Sequence, residues 1–417
     1  MSNKKISKKK IFIIFLVLSL VVLGILSYEK NSKSNKESYK KNISSVFNNE
    51  PETYSASILA AGDIMVHGPQ LNAQYDSSNK TYSFDNNFKH VKKYIEKADY
   101  SIANLETTLA GNDIYPYSSY PLFNSPDELA DTLKNAGFDL LSTINNHSFD
   151  KGDLGVSRTL SVLKEKGFDT VGTRENIDDD DFLIKNINNI KLGITSYSYG
   201  DIKNDNKYLN GIKVSEDFED KMNIFDAHDV DSAFDTISTT LDKLEDTDIQ
   251  IVVLHWGVEY TRDEINFQKE LAQKLCNAGV DIIIGSHPHV VQPVETIMSS
   301  DGETETVVIY SLGNYISNQR RENVGAYSED GLMVNIDITK KSNEDEATVK
   351  KVTCIPTWVN KYNHNGKYVY EIIPIEDKED LNSINNLNEA HAEQSHHNTS
   401  SLIETTDLIN VVSCPFE

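Results

Sequence analysis

Six short apolar runs in this sequence each end on residues that can hold a cation or move a proton. Ile58–Ala61 leads into Gly62-Asp63, with His67 four residues on. Tyr100–Ala103 leads into Asn104-Leu105-Glu106, and Leu140–Ile144 into Asn145-Asn146-His147 with Asp150 after it. Ile251–Leu254 precedes His255-Trp256-Gly257-Val258-Glu259. Asp281–Ile284 precedes Gly285-Ser286-His287-Pro288-His289, and Val307–Leu312 precedes Gly313-Asn314-Tyr315. Taken singly, each ending is an ordinary turn, and Asn146 and Asn314 are common turn residues. Their recurrence points to one shared polar site.

The residue types suit a divalent ion. Such an ion needs carboxylate, amide oxygen and neutral imidazole, with a position left open for water. Asp63, Glu106, Asn146, His255, His287 and His289 supply that set, and the two oxygens of Glu106 could bridge two ions. No thiolate is offered, so manganese, iron or zinc at one or two positions are the candidates. His147 suits a different role. Beside the ion, a protonated imidazole can give its proton to a leaving group. Asp150 or Asp63 would orient it.

Short β-branched runs bounded by turn residues read as buried strands, and an α/β sheet keeps its ligands at the C-terminal strand ends. A unit of helix, glycine, apolar residue, aspartate and strand recurs at Gly137-Phe138-Asp139, Gly167-Phe168-Asp169 and Gly279-Val280-Asp281. Each glycine suits the left-handed position that ends a helix. Ser125, Pro126 and Glu128 predict a capping box before the first of these helices. Helices alternating with buried strands mean a layered α/β domain. After Gly331, Leu332–Ile338, Val349–Ile355 and Tyr368–Ile373 predict added antiparallel strands.

The chain has 417 residues and a formal net charge of −24, which argues against nucleic acid as a partner. Lys4, Lys5, Lys8, Lys9 and Lys10 precede an apolar stretch from Ile11 to Leu26. Residues 1–27 therefore read as cytoplasmic lysines and an uncleaved transmembrane anchor, with the rest extracytoplasmic. Residues 28–54 read as a flexible tether and 55–375 as the folded domain. The acidic tail 376–417, which includes His391, His396 and His397, is expected to be mostly disordered. Cys276 is expected in the core, and a bridge between Cys354 and Cys414 has no spacing argument behind it.

With these residues in place, the chain resembles the CapA (PgsA) family of poly-γ-glutamate capsule biosynthesis proteins. The matching segments are Ala61-Gly62-Asp63-Ile64-Met65, Ala103-Asn104-Leu105-Glu106, Asn145-Asn146-His147 with Asp150, His255-Trp256-Gly257 with Glu259-Tyr260, Gly285-Ser286-His287-Pro288-His289 and Ser311-Leu312-Gly313-Asn314-Tyr315. That family looks like a branch of the calcineurin-like metallophosphoesterases. The resemblance implies a four-layer α/β/β/α sandwich with metals at the strand ends. It makes Asp63 the first-strand ligand, Glu106 the bridging carboxylate, and Asn146-His147 the ligand and acid. His255, His287 and His289 become the remaining ligands. Two positions depart from the phosphoesterase pattern: Met65 stands where a histidine is usual, and Glu106 where an aspartate is usual.

The resemblance further implies work in synthesis, export or attachment of an anionic γ-glutamyl polymer. No Gly-x-x-x-x-Gly-Lys loop is present. The chain is thus expected to be a partner of membrane and cytoplasmic synthase subunits rather than the ATP-using ligase. A metal-dependent phosphoesterase at the cell surface and a non-catalytic assembly module are the alternative readings.

Overall fold

The computed structural model describes residues 51–384 and 386–416. The expected anchor and nearly all of the expected tether lie outside the described residues. Among those described, no helix is long and apolar enough to cross a membrane.

Two nine-stranded sheets carry the fold. The first runs β19 (Lys367–Pro374), β18 (Thr348–His364), β17 (Asp330–Lys341), β1 (Thr53–Ile64), β4 (Tyr100–Leu105), β5 (Leu140–Ser142), β6 (Asp169–Val171). In it β16 (Asn314–Ile316) also pairs with β1, and β20 (Ile409–Val411) with β18. The second runs β10 (Ile212–Lys213), β9 (Asn206–Leu209), β8 (Ile190–Lys203), β12 (Ile249–His255), β13 (Ile282–Ser286), β15 (Glu305–Ile309), β14 (Val294–Met298). There β7 (Phe182–Ile187) and β11 (Ile224–Asp226) also pair with β8. A small ribbon, β2 (Tyr75–Asp76) and β3 (Thr81–Tyr82), stands apart.

Each sheet has a parallel block, β1-β4-β5-β6 in the first and β8-β12-β13-β15 in the second. The strand period of two decides the layering. Ile58, Ala60 and Ile102 face Ile251, Val253 and Ile282 between the sheets. Their neighbours Leu59, Ala61 and Ala103 turn outward onto Leu129, Leu133 and Leu163, from the helices Glu128–Ala136 and Gly152–Glu165. On the other side Val252, Leu254 and Ile283 meet Ile237, Leu271 and Leu275, from the helices Val230–Leu241 and Asn266–Asn277. The order is helices, sheet, sheet, helices. Burial on both faces explains why these strands read as continuous apolar runs. Each large aliphatic side chain so buried contributes roughly 1.5–3 kcal/mol.

Gly137 ends the helix Glu128–Ala136 in the left-handed region at φ 107°, and Gly279 stands at φ 92° after Asn266–Asn277. The start of that first helix differs from expectation. Ser125 makes no cap; its hydroxyl lies 2.8 Å from that of Thr107, Glu128 accepts from Tyr82 N at 3.3 Å, and Asp127 occupies the N-cap position. A tertiary partner won the hydroxyl from the local one.

The tail also departs from expectation. It forms the helices Lys378–Asn382 and Glu389–Ser400, and β20 pairs in parallel with β18. Ala392 and Ile409 are fully buried, and His396 Nε2 lies 2.8 Å from the carbonyl of Val412. Composition underestimated the tail because a few well-placed apolar residues anchor it. The three cysteines are buried and unbridged.

Candidate metal centre

The C-terminal ends of both parallel blocks converge. Asp63 sits where β1 breaks register against β4, so the carboxylate turns inward between Asn104 and Asn314. A side chain at Gly62 would place its Cβ 2.0 Å from the carbonyl oxygen of Gly313, so only glycine lets the two backbones meet. Glu106 follows β4, Asn146 and His147 follow β5, His255 ends β12, and His287 and His289 follow β13. His287 and His289 hold φ 99° and 57°, left-handed values that cost a side-chain-bearing residue of order 1–3 kcal/mol each. Between them, the carbonyl of Pro288 accepts from Tyr260 N at 2.7 Å.

Asp63, Glu106, Asn146, His255, His287 and His289 are each at most 4% exposed. Ligand atoms of Glu106, His255 and His287 lie within 4.8 Å of one another, as do those of Asp63, Glu106 and His289. Glu106 Oε1 is 3.7 Å from Nε2 of both His255 and His289. Both oxygens of Glu106, and Nδ1 of His287 and His289, have no hydrogen-bond partner. Nδ1 of His289 is 3.3 Å from Asp63 Oδ2, close enough for an ion-pair contact but outside hydrogen-bond geometry. Buried lone pairs left facing one another are costly unless a cation sits among them. The donor set therefore fits a divalent ion.

Electrostatics agree. Burial, then the charges of Asp63 and Glu259, push the Glu106 carboxyl well above its ordinary range. Burial and the neighbouring imidazoles hold His255 and His287 well below theirs. Neutral imidazole is the ligating form.

The supporting hydrogen bonds fix these groups. Asn104 Nδ2 donates to Asp63 Oδ1 at 2.8 Å, and the backbone N–H of His287 donates to Asp63 Oδ2 at 3.3 Å. His255 Nδ1 is 3.0 Å from Ser286 Oγ, and Nε2 is 2.9 Å from Asn146 Oδ1. When Ser286 accepts the Nδ1 proton, Nε2 and Asn146 Oδ1 offer lone pairs to one point.

His147 and Asp150 form a dyad at 2.8 Å, with side chains 4% and 0% exposed. Asp150 Oδ2 also accepts from Phe123 N at 2.6 Å, and the edge of Phe123 packs on the His147 ring with centroids 4.7 Å apart. The carboxylate fixes Nδ1 of His147, and Nε2 lies 3.4 Å from Asn210 Nδ2.

Several further residues join the expected ligands and the His147–Asp150 dyad. Tyr199, from β8, lies 4.6 Å from the ring of His287. Asn210, on the turn between β9 and β10, accepts from Asn146 at 3.1 Å and places Nδ2 3.3 Å from His147 Nδ1. Glu259 forms a third potential ligand group with His287 and His289 at the exposed side. His67 accepts from Asn318 N at 3.3 Å; burial, His289 and His147 bring its pKa down to about 4. Only Glu259 and His67 had a signal in the sequence, each following a motif by a few residues.

Among solved structures, the chain is similar to a phosphatase from Mycoplasma pneumoniae, with a TM-score of 0.41 and 15% identity over 73% of this chain and 94% of that one. It is also similar to the calcineurin-like phosphoesterase YfkN of Bacillus subtilis, with a TM-score of 0.39 and 17% identity over 84% of this chain and 99% of that one. The capsule biosynthesis protein CapA of Bacillus anthracis is 29% identical over 243 residues, 57% of this chain and 55% of that protein. The PGA biosynthesis protein CapA of Bacillus subtilis (strain 168) is 29% identical over 283 residues, 64% of this chain and 66% of that protein. The chain thus matches between half and two thirds of the length of these curated relatives. The family described as bacterial capsule synthesis protein PGA_cap matches residues 57–319, more than half of the chain, and spans every strand end that builds the centre. The chain belongs to that family of bacterial capsule synthesis proteins.

Proposed function

We propose that the chain is a membrane-anchored, extracytoplasmic CapA-type component of poly-γ-glutamate capsule assembly that works on the anionic polymer at a divalent-metal centre. Its partners are the membrane and the synthase subunits that make the chain. The observation that carries the reading is the buried set Asp63, Glu106, His255, His287 and His289, with four of its ligand atoms unpartnered. Asp63, Glu106, Asn146 and the three histidines would hold one or two ions of manganese, iron or zinc. When bound, such an ion polarises a substrate oxygen and eases ionisation of water. Asp150 holds His147 in one orientation, and His147 gives its proton to the leaving group. Asn104 and Ser286 keep Asp63 and His255 in place.

A second reading, a cell-surface phosphoesterase, draws on the His147–Asp150 dyad, because an alkoxide leaving from phosphorus also needs a proton. The substrate, amide or phosphoester, is what separates the two.

Metal content tests the centre. The full chain, purified in detergent without chelator or affinity histidines, is analysed by mass spectrometry for manganese, iron and zinc beside His287→Ala. One or two equivalents, lost in the variant, are expected. No bound ion after each is added back would remove the centre from the proposal. In cells, deletion of residues 1–27 is expected to end capsule formation; normal polymer from the truncated chain would remove the anchor.

A further inference from the structure

A group of cations lies beside the metal centre. The chain leaving β16 is tied to the centre at consecutive residues. Asn318 N donates to His67 Nδ1 at 3.3 Å, and Gln319 Nε2 donates to the hydroxyl of Tyr260 at 3.1 Å. Gln319 Oε1 accepts from Asn314 Nδ2 at 2.9 Å, and the same amide donates to the carbonyl of His289 at 3.2 Å. The next two residues are Arg320 and Arg321. Lys361, on the part of β18 that runs past the start of β17, reaches the same place and donates to Asn318 Oδ1 at 2.8 Å.

These three cations are under-compensated. Arg320 is 6% exposed, donates to Val359 O at 2.7 Å and pairs with Glu329 at 2.9 Å, yet its Nε has no acceptor. Arg321 Nε is 3.4 Å from Glu329 Oε1 without a hydrogen bond, and its Nη2 is buried without one. Lys361 also lies over the rings of Tyr368 and Tyr370, at 4.5 and 5.4 Å, and shares the fields of Glu322 and Glu329 with Arg320. Glu329 is the one buried carboxylate paired with them among the described residues, and Trp358 Nε1 also draws on it. Glu322 lies nearby on the exposed side. Burial holds both Arg320 and Lys361 below their usual values. These buried nitrogens add to the local cost of the positive charge, and an anion meets the exposed part of Arg321, whose side chain is 31% exposed, together with Lys361. In a chain of net charge −24, a local cationic surplus next to the centre is a selective feature.

We propose that Arg321 and Lys361, backed by Arg320, form an anion subsite that holds a carboxylate of the polymer while a neighbouring linkage lies at the metal-ligating cluster. This rests on the polymer reading above. A chain with one carboxylate per repeat presents several anions in register, so one subsite can fix its position along the centre. Long-range repulsion from the acidic surface is screened within about 8–10 Å at physiological salt, so local contacts decide.

The test is binding of a γ-linked glutamate oligomer to the full chain by calorimetry, at low and high salt. The wild type, Arg321→Gln/Lys361→Gln and His287→Ala are compared, with metal content measured in each. The double variant should lose about tenfold or more in affinity, since a charged hydrogen bond contributes on the order of 1.5–3 kcal/mol and 1.4 kcal/mol is tenfold. It should lose most of its salt dependence and keep its metal. Lys361→Arg should stay within about threefold of wild type by the same conversion. Unchanged affinity in the double variant, with loss in His287→Ala, would overturn the subsite and leave the proposed function standing. Binding of inorganic phosphate but not oligomer, lost in the double variant, would overturn the carboxylate assignment. No oligomer binding by a metal-loaded wild type would overturn the subsite and the polymer reading together.

Discussion

Glu106→Gln separates cation binding from packing. In the metal-free chain, burial and the nearby carboxylates raise Glu106 well above its ordinary value of 4.5, which favours the neutral acid over the carboxylate. An amide is nearly isosteric with a neutral acid, so the two metal-free proteins should unfold within about 1 kcal/mol of each other. With a cation at about 100 times its Kd, the wild type gains roughly 2.7 kcal/mol. Unfolding entropy of about 2.1 cal/mol/K per residue over about 365 residues is near 0.8 kcal/mol/K, so Tm should rise by about 3–4 °C. The variant should rise by less than about 1 °C on the same arithmetic. The pH dependence has a definite sign. A carboxyl raised in the folded state contributes stability that is full below 4.5 and declines as pH climbs towards the folded value. Raising pH also strengthens cation binding, because the proton must leave first. His255 and His287 are depressed and act oppositely, losing stability as pH falls below 6.5. They are common to both proteins, so the difference between wild type and variant isolates Glu106. Calorimetric unfolding of the full chain, with chelator or with added manganese or zinc, reads all of this. A full metal-induced rise in the variant, at unchanged stoichiometry, would refute Glu106 as a ligand.

Asp63→Ala and His289→Ala should each abolish turnover of whichever phosphodiester or γ-glutamyl amide the wild type cleaves, while circular dichroism stays native. Surviving turnover in both would count against the hydrolytic chemistry. Asp150→Asn should lower the rate about 10- to 100-fold, the worth of a buried hydrogen bond to a charged group, with metal content unchanged; a wild-type rate would show that His147 needs no carboxylate. Gly285→Ala would bring a Cβ within 2.0 Å of the carbonyl oxygen of Tyr310 and should cost about 2–4 kcal/mol in urea unfolding. A loss below about 0.5 kcal/mol would mean that the β13–β15 contact can open freely.

The strand-end residues were legible because chemistry and structure share one period there: apolar runs stop where His255, His287 and Asp63 begin. Layer order was legible in outline, since helices alternate with doubly buried strands. The partners that complete the site were not. Tyr199 and Asn210 reach it from β8 and a hairpin turn whose local sequence carries no motif. Arg320 and Arg321 stand in no motif, and the register of β16 on β1 directs the segment that carries them. The cap expected at Ser125 failed because Thr107, far from it in sequence order, competes for the hydroxyl.

The seat of β20 has a consequence for self-association. β19 covers β18 from Thr357 to His364, and β20 covers it from Val352 to Cys354. Between them the two short partners leave little of that long strand open as a template. An uncovered strand edge invites pairing with another copy. The polar C-terminal segment thus works as an edge guard that keeps neighbouring molecules from zipping sheet to sheet.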